Sequence, residues 1–244
     1  MNKQAANARP ISYDRALKSA IAQSHFGDLP DEIRESLLTR ATRIDVPACA
    51  YITRPGDLPR TLLVVTGLAR IGTVSETGDE LTLLWAHSGE WLGVAFIVEP
   101  TPRSVALPPE AFIQAVTDLT YLDIPATLVR EYARSDAAVA WVIAQFLNDR
   151  LWLAVREILL YAHGDLRSRI AHRLVELALH QPPAAPLIAT ITQDELAKAV
   201  GAARPSVARI LADLKREGHI RSVRGGLLIA RPSELVEPGQ HGAA

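Results

Sequence analysis

The clearest hydrophobic pattern lies near the carboxyl end, from Ile191 to Arg231, where two short amphipathic segments precede an alternating one. Thr192 and Glu195 have the spacing of a capping box, which predicts where the first helix begins. Gly201 supplies a turn, and Pro205 suits the first turn of a second helix. In that second segment apolar residues recur at intervals of three and four, as on one buried helix face: Val207, Ile210, Leu211 and Leu214.

After Gly218 the pattern changes to an alternation of polar and apolar residues around Gly225 and Gly226, which predicts a two-stranded hairpin. Two helices joined by a tight turn and followed by a hairpin are typical of a winged helix-turn-helix, a DNA-binding motif. We therefore predict a recognition helix over residues 204–216. The alternative is a small helical subdomain with a solvated arginine face, which requires cap, turn, spacing and hairpin to coincide by accident.

The exposed positions predicted on this motif form two groups. Arg204 and Arg209 lie on the outer face near the start of the recognition helix, from which arginine reaches guanine edges in the major groove. Phosphate contacts are predicted for the surrounding polar and basic residues Thr192, Ser206, Arg221 and Arg224. Residues 165–232 hold 11 Lys and Arg against 6 Asp and Glu, whereas residues 1–164 hold 15 against 19. Positive charge is thus concentrated where the motif lies.

The front of the chain is predicted to be an antiparallel β-roll preceded by two short helices, Tyr13–Gln23 and Asp31–Thr39. From Ala41 onward, short segments rich in β-branched or alternating apolar residues are separated by glycine and proline turns. This pattern favours a roll or barrel over a βαβ sheet. The predicted strands are 41–46, 61–65, 69–74, 81–86, 111–117 and 120–124.

A long helix without proline or glycine is predicted from Ser135 to Ala162. Its apolar residues occupy more than one face, so more than one face must be covered. One face is expected to pack on the roll, and the other is a predicted dimer seam with heptad-like spacing: Ala140, Ala144, Leu147, Leu151, Ala154, Ile158 and Tyr161. The alternative is a helix covered entirely within one chain.

These patterns predict an α+β chain of four parts. They are a roll domain with its leading helices at 1–134, a dimerisation helix at 135–164, a winged helix-turn-helix domain at 165–235 and a flexible tail at 236–244. Gly164 and Asp165 mark the expected hinge. The single cysteine, Cys49, excludes an intrachain disulfide framework. The amino terminus lacks the apolar core of a signal peptide, so a cytoplasmic protein without membrane attachment is expected.

Taken together, the elements resemble the Crp/Fnr superfamily of bacterial transcription regulators over most of residues 20–235. Val200–Arg209 is similar to that family's recognition-helix signature, and the roll has turn glycines where the family places them, at Gly56, Gly67, Gly78, Gly89 and Gly93. The resemblance implies a homodimer that pairs its long helices and binds a near-palindromic site on double-stranded DNA. RNA polymerase is an implied partner if the protein activates transcription.

The family's cyclic-nucleotide binders use a Gly-Glu pair followed by Arg-Ser or Arg-Thr, in which the acid holds the ribose and the arginine the phosphate. This chain has Gly93 with Arg103 and Ser104 at suitable spacing, a candidate effector pocket. Val94 stands where the acid should be and cannot accept a hydrogen bond from the sugar. Cyclic AMP is therefore not expected, and the effector stays open. Arg103 can instead hold another anion or pair with Glu99.

Two other function classes compete with DNA binding. In the first, the roll is a sensor module for a cyclic nucleotide or other anion, and DNA contact is of little importance. In the second, the roll is a metal-dependent enzyme, which requires clustered histidines near an acid. His87 with Glu90 is all that the roll segment offers, and neither His87 nor Cys49 has the setting of a haem ligand. No catalytic residue, metal or cofactor is predicted.

Overall fold

The computed structural model describes residues 7–9, 13–54, 60–75, 78, 80–97, 111–179 and 186–236. The chain divides into two compact units. The first comprises Met1–Asp79 and Leu83–Leu153, and the second comprises Glu80–Thr82 and Ala154–Ala244. Apart from Val236, the predicted tail 236–244 lies outside the described residues, as does the predicted turn glycine Gly56.

Two helices and a 3-10 turn lie near the start of the first unit. Helix α1 (Arg15–Ala22) begins after Asp14, whose carboxylate accepts a hydrogen bond from the amide of Leu17 at 2.9 Å. This bond satisfies one of the amides that a helix start leaves without an intrahelical partner. A 3-10 turn (His25–Asp28) leads to α2 (Asp31–Arg40). Both predicted helices are confirmed, while the 3-10 turn was not predicted.

The described strands between residues 7 and 124 form two antiparallel sheets. They are β1 (Asn7–Arg9), β2 (Thr42–Val46), β3 (Tyr51–Thr53), β4 (Thr61–Thr66), β5 (Ala69–Val74), β6 (Glu80–Ala86), β7 (Trp91–Leu92), β8 (Ala111–Ala115) and β9 (Leu119–Ile124). One sheet has the order β1-β2-β9-β4-β7, and the other has the order β3-β8-β5-β6. The six predicted strands and the antiparallel roll are confirmed. The sequence pattern missed β1, β3 and β7, which have only two or three residues each.

Strand β4 shows how the alternation of side chains divides the core. Successive residues of a strand point to opposite faces of the sheet. Leu62 and Val64 join an apolar cluster that lies between the two sheets, with residues such as Ala69 and Tyr121. Leu63 points the other way, into a cluster beneath the helices that includes Leu17, Phe26, Trp91 and Phe146. The roll therefore has an apolar interior and a second apolar layer outside it.

Two helices follow the last strand of the roll. They are α3 (Ala126–Ser135) and α4 (Ala137–His163). The long helix predicted from residue 135 is corrected at its start: α3 ends there, and the extended Asp136 accepts a hydrogen bond from the amide of Ala138 at 2.8 Å. Helix α3 was not predicted from the sequence. The first half of α4 buries Val139, Val142, Ile143 and Phe146 in the core cluster of the first unit.

The second unit contains the winged helix-turn-helix. Its remaining helices are α5 (Leu166–Leu179), α6 (Gln193–Val200), α7 (Arg204–Arg216) and α8 (Pro232–Val236). Strands β10 (Ile188–Ala189), β11 (Ile220–Val223) and β12 (Gly226–Ile229) form an antiparallel sheet with the order β10-β12-β11. The two helices and the hairpin agree with the sequence prediction, whereas the short β10 was not predicted. This is an α+β chain, as expected.

Candidate nucleic-acid interface

The first helix of the motif, α6, starts with the predicted capping box. The hydroxyl of Thr192 accepts a hydrogen bond from the amide of Glu195, and the Glu195 carboxylate accepts one from the amide of Thr192 at 2.9 Å. The helix ends at Gly201, which has the left-handed conformation with φ 61° and ψ 44°. Glycine adopts this conformation without the steric cost that other residues incur. Both ends of α6 are therefore determined by residues of the helix and its immediate neighbours.

The second helix, α7, is held against the unit by one apolar stripe. Val207, Leu211 and Leu214 are almost completely buried, and Ile210 is half-buried. Pro205 lies in the first turn, where its missing amide hydrogen costs little. Leu196 and Val200 of α6 are likewise buried, so the two helices share one core. This packing leaves the opposite face of α7 available.

The exposed face of α7 carries both predicted base-reading residues. Arg209 is exposed, and the side chain of Arg204 is 65% exposed. The Nε atom of Arg204 lies 3.9 Å from Oδ1 of Asp194, which is also exposed. An exposed ion pair of this kind contributes little free energy. The pair can therefore exchange for a guanine or a phosphate at small cost.

The hairpin after α7 presents two more exposed arginines. Arg221 lies on β11, and Arg224 lies in the turn before Gly225, which has φ 93°. A Cβ added to Gly226 would lie 2.4 Å from the carbonyl oxygen of Ala189, so β12 can approach β10 this closely only with glycine. Strand β10 thus fixes the position of β12 at the base of the wing, and Arg221 and Arg224 are exposed on the wing.

The remaining two predicted phosphate contacts differ in availability. Ser206 is half-buried in the first turn of α7. Thr192 is exposed, but its hydroxyl also donates to the Glu195 carboxylate at 2.7 Å, and its amide is bonded to the same carboxylate. The donors of Thr192 are therefore engaged in the cap, and a phosphate has to compete with Glu195. The neighbouring Gln193, the exposed first residue of α6, was not singled out from the sequence. The cap itself was the signal, since helix starts offer amides to anions.

The candidate effector residues lie only partly within the described chain. Arg103 and Ser104 lie outside the described residues, as does Glu99. A Cβ on Gly93 would lie 1.8 Å from the carbonyl oxygen of Arg60, so close backbone packing accounts for glycine here without a ligand. Val94 is 1% exposed and belongs to the apolar layer outside the roll. The described part of the cassette is therefore apolar and closely packed.

The histidine and acid of the enzyme alternative have other partners. Nε2 of His87 lies 3.5 Å from the carboxylate of Glu90, and Glu90 is ion-paired with Arg150 of α4. In the described residues, the group that could hold a metal is Glu157, His172 and Glu176, in the second unit. Its two carboxylates are ion-paired with the buried Arg173. His87 and Glu90 therefore belong to a network that joins the roll to α4.

Helix α4 carries a broad exposed apolar face. On the predicted seam, Leu151 and Ile158 are 61% and 65% exposed, and three alanines are also exposed: Ala140, Ala144 and Ala154. Leu147 is half-buried, and the hydroxyl of Tyr161 donates to the carbonyl of Ala199 at 2.7 Å. Beside the seam, the exposed side chains Trp141, Trp152 and Leu159 widen the apolar face. An apolar surface of this extent on one protein marks an interaction site.

Comparisons with known proteins agree with this geometry. A family model described as the Crp-like helix-turn-helix domain matches residues 168–237. The chain is 31% identical over 209 residues to “Transcriptional regulator SdrP” of Thermus thermophilus, which covers 84% of this chain and 95% of that protein. It is 30% identical over 219 residues to the “Cyclic AMP receptor protein” of the same organism, covering 89% of this chain and 96% of that protein.

A solved structure shows the same similarity in three dimensions. The structure of a transcriptional regulator of the CRP/FNR family from Thermus thermophilus matches with a TM-score of 0.63 and 28% identity. The match covers 80% of this chain and 98% of that chain. The similarity therefore spans the roll, the long helix and the winged domain together.

Proposed function

Because the chain belongs to the Crp/Fnr superfamily of transcription regulators, we propose that two copies of it bind one near-palindromic site on double-stranded DNA. Each copy inserts α7 into the major groove, and the two helices enter successive grooves one helical turn apart. The observation that carries the proposal is the outer face of α7, which exposes Arg204 and Arg209 above a buried inner stripe. The relatives are transcription regulators, so a sensor module without DNA binding is not favoured.

Pairing of α4 between two copies, within residues 135–164, is the second part of the proposal. Its exposed apolar seam residues extend from Ala140 to Ile158, with Leu147 half-buried among them. By length and composition alone α4 is also apolar enough to cross a membrane. Two charged residues near its middle argue against that: Asp149 lies 3.0 Å from His25, and Arg150 is ion-paired with Glu90. Charged side chains at the centre of a bilayer carry a high free-energy cost. We therefore propose that the apolar face of α4 pairs with a second copy in the cytoplasm and does not enter a membrane.

The arginines are assigned to two kinds of DNA contact. We assign Arg204 and Arg209 to base edges, because they lie in the first two turns of α7. Arg221 and Arg224 are assigned to the phosphate backbone beside the groove, since they project from the wing. Ser206 and the start of α6 at Thr192 add phosphate contacts, with Thr192 in competition with its own cap.

We propose that the roll does not bind cyclic AMP. Several relatives are named for this ligand, but here the buried Val94 stands where the family's cassette has its acid. A ribose hydroxyl would be left without its acceptor, which costs about 1–3 kcal/mol. RNA polymerase is the expected further partner if the protein activates transcription.

The test compares two arginine substitutions on a DNA site selected from a random pool. Arg209→Ala should relax the preference for one base pair by about 5- to 150-fold, because a bidentate contact to guanine is lost. Arg224→Ala should weaken binding to all sequences alike and reduce the salt slope by about one. Arg216→Ala is the matched control, since it removes the same charge from an exposed side chain in the last turn of α7. Unchanged selectivity in Arg209→Ala would show that α7 does not read the site.

A further inference from the structure

The end of α6 is held by two side chains from α4 and α5, the two helices that come before it in the chain. Tyr161, on the last turns of α4, donates its hydroxyl to the carbonyl of Ala199 at 2.7 Å. Arg169, on the first turns of α5, donates from Nη1 to the carbonyl of Val200 at 3.2 Å. These two carbonyls are the last of α6, immediately before the turn at Gly201. We name Tyr161 and Arg169 the hinge clamp.

The carbonyls of Ala199 and Val200 need hydrogen-bond donors from outside α6. The last four carbonyls of an α-helix lack intrahelical donors, and the C-terminal end carries a partial negative charge. A guanidinium at this end therefore stabilises the helix in two ways: it donates a hydrogen bond to a free carbonyl, and its positive charge lies near the negative end of the helix dipole. The guanidinium carbon of Arg169 also lies 5.3 Å from the ring centroid of Tyr161, within the range of a cation–π contact. The two clamp residues thus hold each other as well as α6.

The junction between α4 and α5 is braced beside the clamp. Arg173 of α5, whose side chain is 3% exposed, is ion-paired with Glu157 of α4 and with Glu176. Breaking a buried pair of this kind is strongly unfavourable. At Gly164, a Cβ would lie 2.5 Å from the carbonyl oxygen of Leu160, so the chain passes from α4 to α5 by a close approach. The last turns of α4 therefore carry α5 and α6 as one body.

We infer that the hinge clamp is a positioning device that sets the spacing between half-sites which the two copies accept. The inference rests on the proposed function, since it requires α4 to pair and α7 to read DNA. Because α6 and α7 share one core, fixing the end of α6 relative to the last turns of α4 fixes the direction of α7. In a dimer joined through α4, the two clamps together determine the separation and angle of the two α7 helices. Neither clamp residue needs to touch DNA.

The clamp is tested with Tyr161→Phe, which removes one hydroxyl and keeps the ring. Tyr132→Phe is the matched control, because the Tyr132 hydroxyl is bonded to Ser36 in the first unit at 2.8 Å. Each protein is titrated with duplexes that carry the selected half-sites at the selected spacing, or with one base pair inserted or deleted. One base pair changes the separation by about 3.4 Å and rotates one half-site by about 35°.

The wild type and Tyr132→Phe should prefer the selected spacing strongly over both altered spacings. Tyr161→Phe should lose about tenfold of that preference, as two copies each lose one hydrogen bond, while its affinity for a duplex with a single half-site stays unchanged. Arg169→Lys, which keeps the charge but not the stacked fork, should shift the preference in the same direction. Equal loss of affinity at every spacing, or full retention of the preference, would overturn the inference. If the wild type itself showed no preferred spacing, the proposed function would fail instead.

Discussion

Replacing Leu151 with alanine tests the dimer face of α4 quantitatively. Leu151 is 61% exposed in the single chain and lies at the centre of the predicted seam. The substitution removes three carbon groups, each worth about 0.8 kcal/mol when buried. Scaling by the 61% exposed fraction and counting both copies gives a loss of about 3 kcal/mol in dimerisation, or roughly a hundredfold in the dimer Kd.

Leu179→Ala is the matched control for this substitution. Leu179 is also 61% exposed, but it is the last residue of α5 and is not one of the seam residues. Sedimentation equilibrium over a range of protein concentrations gives the dimer Kd of each variant. A dimer Kd for Leu151→Ala equal to that of the wild type, or an equal weakening in Leu179→Ala, would contradict the dimer face of α4.

Three further predictions concern the second unit. Thr192→Ala should lower the stability of the second unit by about 0.5–2 kcal/mol in thermal unfolding, because the capping box is lost. The control Thr39→Ala removes a hydroxyl that donates within α2 and should have less effect in the same assay. Burial raises the pKa of Glu157, but the interaction with His172 and the charge of Arg173 outweigh it, so the pKa lies below its ordinary 4.5. The resulting stabilisation is present above pH 4.5 and is lost as the pH falls through the lowered pKa of Glu157. Glu157→Gln should therefore flatten the decline in unfolding free energy as the pH is lowered. An unchanged decline would contradict this assignment. Gly226→Ala should push β12 away from the carbonyl of Ala189 and weaken binding to every DNA sequence alike. Salt-dependent titrations with several sequences measure this effect. A loss of affinity for only one sequence would contradict the prediction.

Local sequence signals were sufficient for the two helices and the wing turn of the helix-turn-helix motif. The capping box at Thr192, the left-handed Gly201 and the wing turn at Gly225 each depend on residues within a few positions of one another, and all three are present. The buried stripe of α7 follows from helical periodicity in the same way. Where the backbone is determined locally, the sequence is enough to place the element.

Elements that depend on distant partners were harder to predict. Strand β10 has two residues and exists because it pairs with β12, far along the chain. Helix α3 has ten residues and was not predicted, and only Asp136 separates it from α4. Short strands and adjacent helices carry too little periodicity to be distinguished without knowledge of what covers them.

The exposure of the two candidate base-reading arginines was predicted from the sequence, but the contacts within the second unit were not. The sequence indicated that Arg204 and Arg209 face outward, and both are exposed. It assigned Tyr161 to the dimer seam, since the heptad spacing includes it, but could not show that its hydroxyl reaches Ala199. Such a contact depends on how α4, α5 and α6 pack, which no local spacing reports.

The central claim is that two copies of the chain present α7 to one DNA site with two-fold symmetry. The most direct test is to select duplexes from a random pool with the purified protein and to weigh the resulting complex by native mass spectrometry. We predict a bound sequence with two inverted half-sites about one helical turn apart and a complex of two chains per duplex. A single chain bound with equal affinity to every duplex would contradict the claim.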